Sequence, residues 1–435
     1  MFPGAILIGA PSMLLPPWLP FRFFLCAAAA QFLFWVMIGL GADGLATFSG
    51  GPGMVLGALH MLTLGVLVST VMGAASQLTP VATGLSHFSL LPIRISWWLH
   101  VAGALLLIYG FVTGDAWAAP AGGALEAAAL LAFALTLGDL LRRTSFLRVP
   151  VRFIWLSLLS LAGFLVLGLT LIFDFSGGFL ADRQGLALAH LVLAAHGFMG
   201  LLVLGFSNIL VPMFALSDSP PATSANASLI LAPAAIAIAL GGIFSELAWL
   251  TALAAAIGLA AVAAHLHGMA WCLRHGQRKR LGLSFTLIKG AWVLLLLNPV
   301  LGGLLAFGLL GETGPALFGF ALLAGWLLTF LTGILQRIVP FLAGMNMAGK
   351  GVKPPRLSQL ADERLLGVYA WCHAAAILAV AGGIVTGHPA IALAGSLAGT
   401  AGSLALAWYI ISVARSFRAH QLASRQQTPV PGNTN

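Results

Sequence analysis

The sequence is short of charged side chains. Of its 435 residues, only 20 are Lys or Arg and 11 are Asp or Glu, which is 7% in all. A soluble globular chain carries about a quarter charged residues, so this chain lacks the polar surface that water requires. Hydrophobic residues make up 60% and the mean hydropathy is +1.02. These values exclude a cytosolic enzyme and a disordered protein, and they indicate an integral membrane protein whose main partner is the lipid bilayer.

Cysteine is also scarce. Cys26, Cys272 and Cys372 form no CxxC pair and lie in or beside apolar runs, so they support neither a disulfide framework nor a zinc site. The net charge of +9 would suit nucleic-acid binding in a soluble protein. Here, however, the basic residues lie between apolar stretches, where they act as a topology signal. We therefore predict no nucleic-acid partner.

Twelve apolar stretches are long enough to cross a membrane, because a spanning helix needs roughly 20 mainly apolar residues. We predict an all-α, polytopic membrane protein. Residues 1–20 form an apolar, proline-broken segment in which we expect no signal peptide, residues 21–415 form the membrane domain, and residues 416–435 form a cytoplasmic tail. The predicted helices cover 22–42, 53–80, 93–113, 120–140, 151–174, 184–213, 226–244, 247–271, 286–310, 314–341, 364–386 and 389–415.

The basic residues predict the orientation, because Lys and Arg favour cytoplasmic loops. With the N-terminus inside, 19 of the 20 fall in inner loops or near inner helix ends, and only Arg183 falls outside. Both termini are then cytoplasmic.

Three segments of the sequence resemble one another. Each is a glycine-bearing helix that ends in an amide followed by a proline, and each preceding helix opens with a base near aromatic residues. WWLHVAGALLLIYGFVTG also parallels AWCHAAAILAVAGGIVTG, which places His100 and His373 at corresponding positions. We predict three four-helix repeats, 21–143, 151–274 and 286–415, arranged as a ring. The amide and proline pairs are Gln77/Pro80, Asn208/Pro212 and Gln336/Pro340, and the bases are Arg22, Arg152 and Lys289.

Two stretches carry a resemblance to known membrane proteins. PFRFFLCAAAA around Arg22 resembles the FRPFF-type opening of the first helix in the NnrS family, and the helix from His60 to SQLTPVATG resembles that family's H-x-x-x-G…AVPNWTG helix. Twelve helices in three arcs, with histidines on the second and sixth, are also similar to subunit I of the heme–copper oxidase superfamily. The resemblance implies a heme protein of the bacterial inner membrane that handles nitric oxide or a related small diatomic.

Histidines inside the spans are the candidate ligands. The resemblance implies heme or metal binding by His60 on the second helix and by His190 and His196 on the sixth. Since His190 and His196 differ by six positions, about 240° around a helix, we expect them not to share one metal unaided. His373 is a candidate axial partner of His60 on a heme b, His100 is a further candidate, and copper is a possible second metal. The alternative for each is a neutral histidine hydrogen-bonded across a helix contact.

Departures from the oxidase pattern narrow the function. The seventh and tenth helices have no histidine, and Glu126 is the only acid clearly inside a span. Proton pumping needs chains of polar groups through the membrane, so any activity would be that of a heme-dependent oxidoreductase fed by a respiratory electron donor, not of a proton-pumping oxygen reductase. Two alternatives stay open: a cofactor-free transporter or channel for a hydrophobic or neutral solute, and an assembly factor of a respiratory complex.

Overall fold

The computed structural model describes residues 13–87, 89–348 and 360–426, with side chains up to residue 420. These residues contain no strand, and twelve of their helices are long and apolar enough to cross a membrane. The protein is therefore an all-α, multi-pass membrane protein. The spans are α1 (Trp18–Leu40), α2 (Met54–Thr83), α3 (Leu91–Thr113), α4 (Ala118–Arg143), α5 (Arg148–Gly177), α6 (Arg183–Ala215), α7 (Ala222–Phe244), α8 (Ala248–His275), α9 (Gly282–Ala306), α10 (Gly314–Ala348), α11 (Glu363–Thr386) and α12 (Pro389–Gln426).

The helix ends differ from the predicted ones at both ends of the membrane domain. The first helix starts at Trp18, and Pro20 lies in its first turn. Proline is tolerated there because the N–H groups of the first turn have no acceptor within the helix. The last helix continues to Gln426, past the predicted start of the tail. Residues 1–12 and 427–435 of the predicted terminal segments lie outside the described residues, as do three of the predicted inner bases, Lys350, Lys353 and Arg356.

Three helical hairpins pack through glycines. Helices α3 and α4, α7 and α8, and α11 and α12 are in close contact along their lengths. Near the end of the first helix of each pair stand Gly110, Gly242 and Gly383, and a Cβ on any of them would collide with the backbone of the second helix. On Gly242 and Gly383 that Cβ would lie 2.7 Å from the backbone nitrogens of Thr251 and Ala392. Small residues let helices in membranes approach this closely.

Helices α2, α6 and α10 form the centre of the molecule. Buried residues make up 67%, 56% and 83% of their apolar windows, against at most 50% in the other nine spans. Each contains a π-helical segment, Met61–Val68, Val192–Gly200 and Ala321–Leu328, and the segment of α10 contacts those of α2 and α6. All three segments end twelve residues before the helix proline, Pro80, Pro212 or Pro340.

Three further helix contacts link each predicted four-helix unit to the next, and the last unit to the first. Helix α4 packs on α5, α8 on α9, and α12 on α1. These are the neighbours that three consecutive four-helix units would have around a centre. The rotational relation among the units stays a prediction.

Candidate functional site

A cavity of about 700 Å³ lies beside the central helices. Aliphatic and aromatic side chains from α1 to α6 and α10 form most of its wall. It reaches the loop that joins α1 to α2 and the start of α6, so it lies in the half of the bundle where α2, α6 and α10 begin. A volume of this size suits a cofactor or a small organic ligand. Its polar lining side chains are Ser49, His60, Thr63, Glu126, Arg183, Gln184 and His190.

His60 lines the cavity from α2, directly before the π-helical segment. Its Nδ1 lies 3.0 Å from the carbonyl oxygen of Leu56, one turn earlier. Since a carbonyl only accepts hydrogen bonds, Nδ1 carries the proton and donates it. The ring also packs at 4.7 Å, centroid to centroid, on Phe111 of α3. The tautomer and the tilt of this imidazole are therefore both fixed.

His190 lines the same cavity from α6. Its Nδ1 donates to the carbonyl oxygen of Phe164 on α5 at 3.0 Å, and its ring meets that of Phe164 edge-on. Gly168, one turn further along α5, leaves room for the ring, since a Cβ there would lie 2.9 Å from Cε1 of His190. His190 is thus held against a neighbouring helix, whereas His60 is held by its own.

The two histidines share one chemical state. Both use Nδ1 as a donor to a backbone carbonyl, so the lone pair stays on Nε2, and no described residue forms a hydrogen bond to either Nε2. Metal-binding histidines typically donate the other ring N–H to a carbonyl or carboxylate, which sets the tautomer and raises the basicity of the ligand. The cavity therefore contains two imidazoles of the form that binds a transition metal.

His100 uses both ring nitrogens within the protein. Its Nε2 lies 2.8 Å from Oγ of Ser69, and its Nδ1 lies 2.8 Å from Oε1 of Glu126. The Ser69 hydroxyl can itself donate to the carbonyl oxygen of Leu64, 3.4 Å away. Ser69 therefore engages Nε2 as donor or acceptor, and one proton lies between Nδ1 and the carboxyl of Glu126. With both nitrogens engaged, His100 has no lone pair left for a metal.

His373 repeats this arrangement in part. Its Nε2 lies 2.8 Å from Oγ1 of Thr329, whose hydroxyl can donate to the carbonyl of Ala324. Ser69 and Thr329 each directly follow a π-helical segment, so the two histidines bond to corresponding positions. Nδ1 of His373 is buried and has no hydrogen-bond partner among the residues that the structure describes, and the ring stacks on Tyr369. His373 is not part of the cavity wall, so the structure does not bring it together with His60.

His196 also lies outside the cavity wall. Its ring faces Phe318 and Trp326 of α10, with centroids 6.3 Å and 6.2 Å away. His196 and His190 therefore do not face the same cavity, which agrees with the prediction from their spacing of six residues. Among the residues that the structure describes, no group of three or more His, Cys, Asp or Glu is placed to hold a metal ion.

The open end of the cavity carries an ion pair. Arg183 of α6 binds Asp174 of α5 and donates to the carbonyl oxygen of Leu171, and its guanidinium lies 3.8 Å from the ring centroid of Phe175. Arg183 is the one base that the topology prediction placed outside. Because Asp174 neutralises the charge of Arg183, this arginine is compatible with the predicted outer side of the membrane.

Several features of the site have no signal in the sequence. Gly168 is one glycine among 52, and its role depends on a contact between two helices. The Ser69–His100–Glu126 chain joins residues of α2, α3 and α4, and nothing in their spacing indicates that they meet. The recurring amide and proline were the only hint of a common irregularity in α2, α6 and α10.

Comparison with models of known protein families gives no match, and neither does comparison with curated proteins. The fold and the site nevertheless define a class. This is a multi-pass α-helical membrane protein with an apolar cavity into which two helices each contribute a neutral histidine.

Proposed function

We propose that this protein binds a heme b in the cavity through His60 and His190, and that it binds or turns over nitric oxide or a related small diatomic. The observation that supports this is the pair of imidazoles on one apolar cavity, each with Nδ1 bonded to a carbonyl and Nε2 free. Histidine is the usual protein ligand of heme iron in proteins that bind diatomic gases. The resemblance to the NnrS family points to the same chemistry.

The residues present fit such a group. The donor set is two neutral imidazoles, the wall is largely apolar, and the volume is about 700 Å³. When bound, the iron would bind a diatomic ligand in place of one of the two imidazoles, His60 or His190. The apolar wall excludes water and admits an uncharged gas that dissolves in lipid. Copper would need further ligands, and since His196 lies outside the cavity, we confine the proposal to heme.

Glu126 supplies the one acid of the cavity wall within the spans. It shares a proton with His100, and Ser69 holds the far side of that ring. If the protein turns its ligand over, this pair is the group in the wall that can exchange a proton with the cavity. Turnover would also need an external electron donor, and the activity would be that of a heme-dependent oxidoreductase in the bacterial inner membrane.

The test is to purify the full-length protein, record its absorption spectrum and measure heme per chain by pyridine hemochromogen assay. We expect a Soret band that shifts when nitric oxide is added to the reduced protein. His60→Ala and His190→Ala should each lower heme content by about tenfold or more, since loss of one ligand interaction removes more than the 1.4 kcal/mol that corresponds to a factor of ten.

His196→Ala is the matched control, because it removes a half-buried histidine that lies on the same helix as His190 but does not line the cavity. It should keep the heme. Protein that is folded and carries no heme, even after growth with added heme precursor, would contradict the proposal.

The apolar wall also favours a second candidate, a cofactor-free carrier of a hydrophobic or neutral solute. It would use the same cavity but would not need two histidines with free nitrogens. Under this alternative His60→Ala and His190→Ala would leave function nearly intact, and the purified protein would show no Soret band.

A further inference from the structure

Two arginines at one membrane face share a tryptophan. Arg22 of α1 and Arg94 of α3 each place Cζ 5.2 Å from the ring centroid of Trp18. Arg22 also lies 4.6 Å from the ring centroid of Trp97 and 5.5 Å from that of Phe23. We call Trp18, Arg22, Arg94 and Trp97 the arginine–tryptophan cluster. It is separate from the cavity, since none of its four residues lines the cavity wall.

Among the described residues, no acidic side chain balances the positive charges of this cluster. Arg22 donates one hydrogen bond, from Nη2 to the carbonyl oxygen of Ile93 at 3.2 Å, and its Nε is buried without a partner in the described part of the chain. In the described part of the chain no carboxylate pairs with Arg22 or Arg94. The segments outside it contain no Asp or Glu that could do so. Because both Cζ atoms lie 5.2 Å from the same ring centroid, the two guanidiniums are at most about 10 Å apart and repel each other.

The cluster is open to the surroundings of the bundle. Trp18 is 50% exposed, and Trp98 and Leu91 beside the cluster are 66% and 60% exposed. Arg22 is the fifth residue of α1 and Arg94 the fourth of α3, which puts both within about 6 Å of the helix starts at 1.5 Å per residue. Tryptophan and arginine at this depth are typical of the boundary between lipid headgroups and acyl chains.

We propose that the arginine–tryptophan cluster binds the phosphate of an anionic phospholipid. Guanidinium groups match phosphate with paired, charge-assisted hydrogen bonds, and one phosphate between Arg22 and Arg94 would remove their repulsion and satisfy the orphan Nε. The exposed side chains of Leu91, Ile95 and Trp98 provide an apolar surface for the acyl chains. This inference does not depend on the heme proposal, because it uses no residue of the cavity.

The chain contains its own control for this site. Arg152 and Lys289 are the corresponding bases of α5 and α9, and both are exposed. Neither packs on an aromatic ring among the described residues. A charge at this position is therefore not enough to form the cluster, which needs the second arginine and Trp18.

The experiment is native mass spectrometry of the full-length protein in detergent, titrated in parallel with phosphatidylglycerol, phosphatidylcholine and inorganic phosphate. We expect wild-type protein to retain phosphatidylglycerol in preference to phosphatidylcholine. Arg22→Gln/Arg94→Gln should bind the anionic lipid about thirtyfold more weakly, the loss expected for two cations near a headgroup. Arg152→Gln should bind as wild type does.

Three results would overturn the assignment: equal loss in Arg152→Gln, no preference of the wild type for the anionic lipid, or equal occupancy by free phosphate at the same concentration. Thermal unfolding without lipid checks that the double variant is folded. If the double variant is not folded, Arg94→Gln alone is the test, because the Arg94 side chain is exposed and makes no hydrogen bond within the described residues. This single variant must still bind phosphatidylglycerol more weakly than the wild type does.

Discussion

Individual residues determine which nitrogen atoms the cavity presents. His60 and His190 could be predicted as candidate ligands, because an ionisable side chain within a membrane span costs free energy and usually has a functional role. Their neutral Nδ1–H form could not be predicted, since it depends on the carbonyl oxygens of Leu56 and Phe164. The sequence also made His373 a candidate axial partner of His60 and His100 a further candidate. The structure separates them, because their ring nitrogens bond to Ser69 and Thr329 instead of facing the cavity.

Replacing Gly168 by alanine should displace the imidazole of His190. The new Cβ would lie 2.9 Å from Cε1 of the ring, and overpacking of this kind costs about 1–3 kcal/mol. We expect a lower midpoint of thermal unfolding in detergent and a lower heme content. Gly319→Ala is the control, because Gly319 also lines the cavity but has open space around it.

The cause can be isolated with a double-mutant cycle. In a His190→Ala background there is no ring to displace, so Gly168→Ala should have little further effect on the unfolding midpoint. An equal drop in both backgrounds would show that Gly168 serves the backbone of α5 instead of His190.

At the level of helices, hydropathy predicted all twelve spans, because lipid demands long apolar stretches whatever the tertiary structure. The π-helical segments could not be predicted in this way, since Met61–Val68 is as apolar as its surroundings and its irregularity is one of hydrogen bonding. The close packing of the three hairpins could not be predicted from the sequence either, because glycines occur in all twelve helices and only a few of them contact a neighbouring backbone.

Two adjacent glycines of α11 should respond in opposite ways to the same change. Gly383→Ala puts a Cβ 2.7 Å from the backbone nitrogen of Ala392 and should destabilise the α11–α12 hairpin by about 1–3 kcal/mol. Gly382→Ala meets open space and should stabilise the helix by up to about 1 kcal/mol. Unfolding in SDS, followed by circular dichroism, measures both. Equal effects from the two variants would mean that the hairpin can separate without cost.

For the molecule as a whole, the repeat in the sequence indicated which helices correspond, and the structure places π-helical segments at corresponding points of α2, α6 and α10. The cavity itself could not be located from the sequence, because side chains of eight helices, α1 to α6, α9 and α10, form its wall.

The charge distribution makes a prediction about orientation that labelling can test. In a background without Cys26, Cys272 and Cys372, Glu312→Cys should react with a membrane-impermeant thiol reagent in intact cells. Gln277→Cys should react only after the membrane is opened. Both positions are exposed in loops at opposite ends of the spans. The reverse pattern would mean that the basic loops face the periplasm.

The fixed distance between each π-helical segment and its proline bears on the history of the chain. A π turn holds about one residue more than an α turn, so each segment places one extra residue in its helix. Three separate insertions would have had to reach the same place independently. Under the predicted three-repeat organisation, one insertion in an ancestral four-helix unit would account for all three segments.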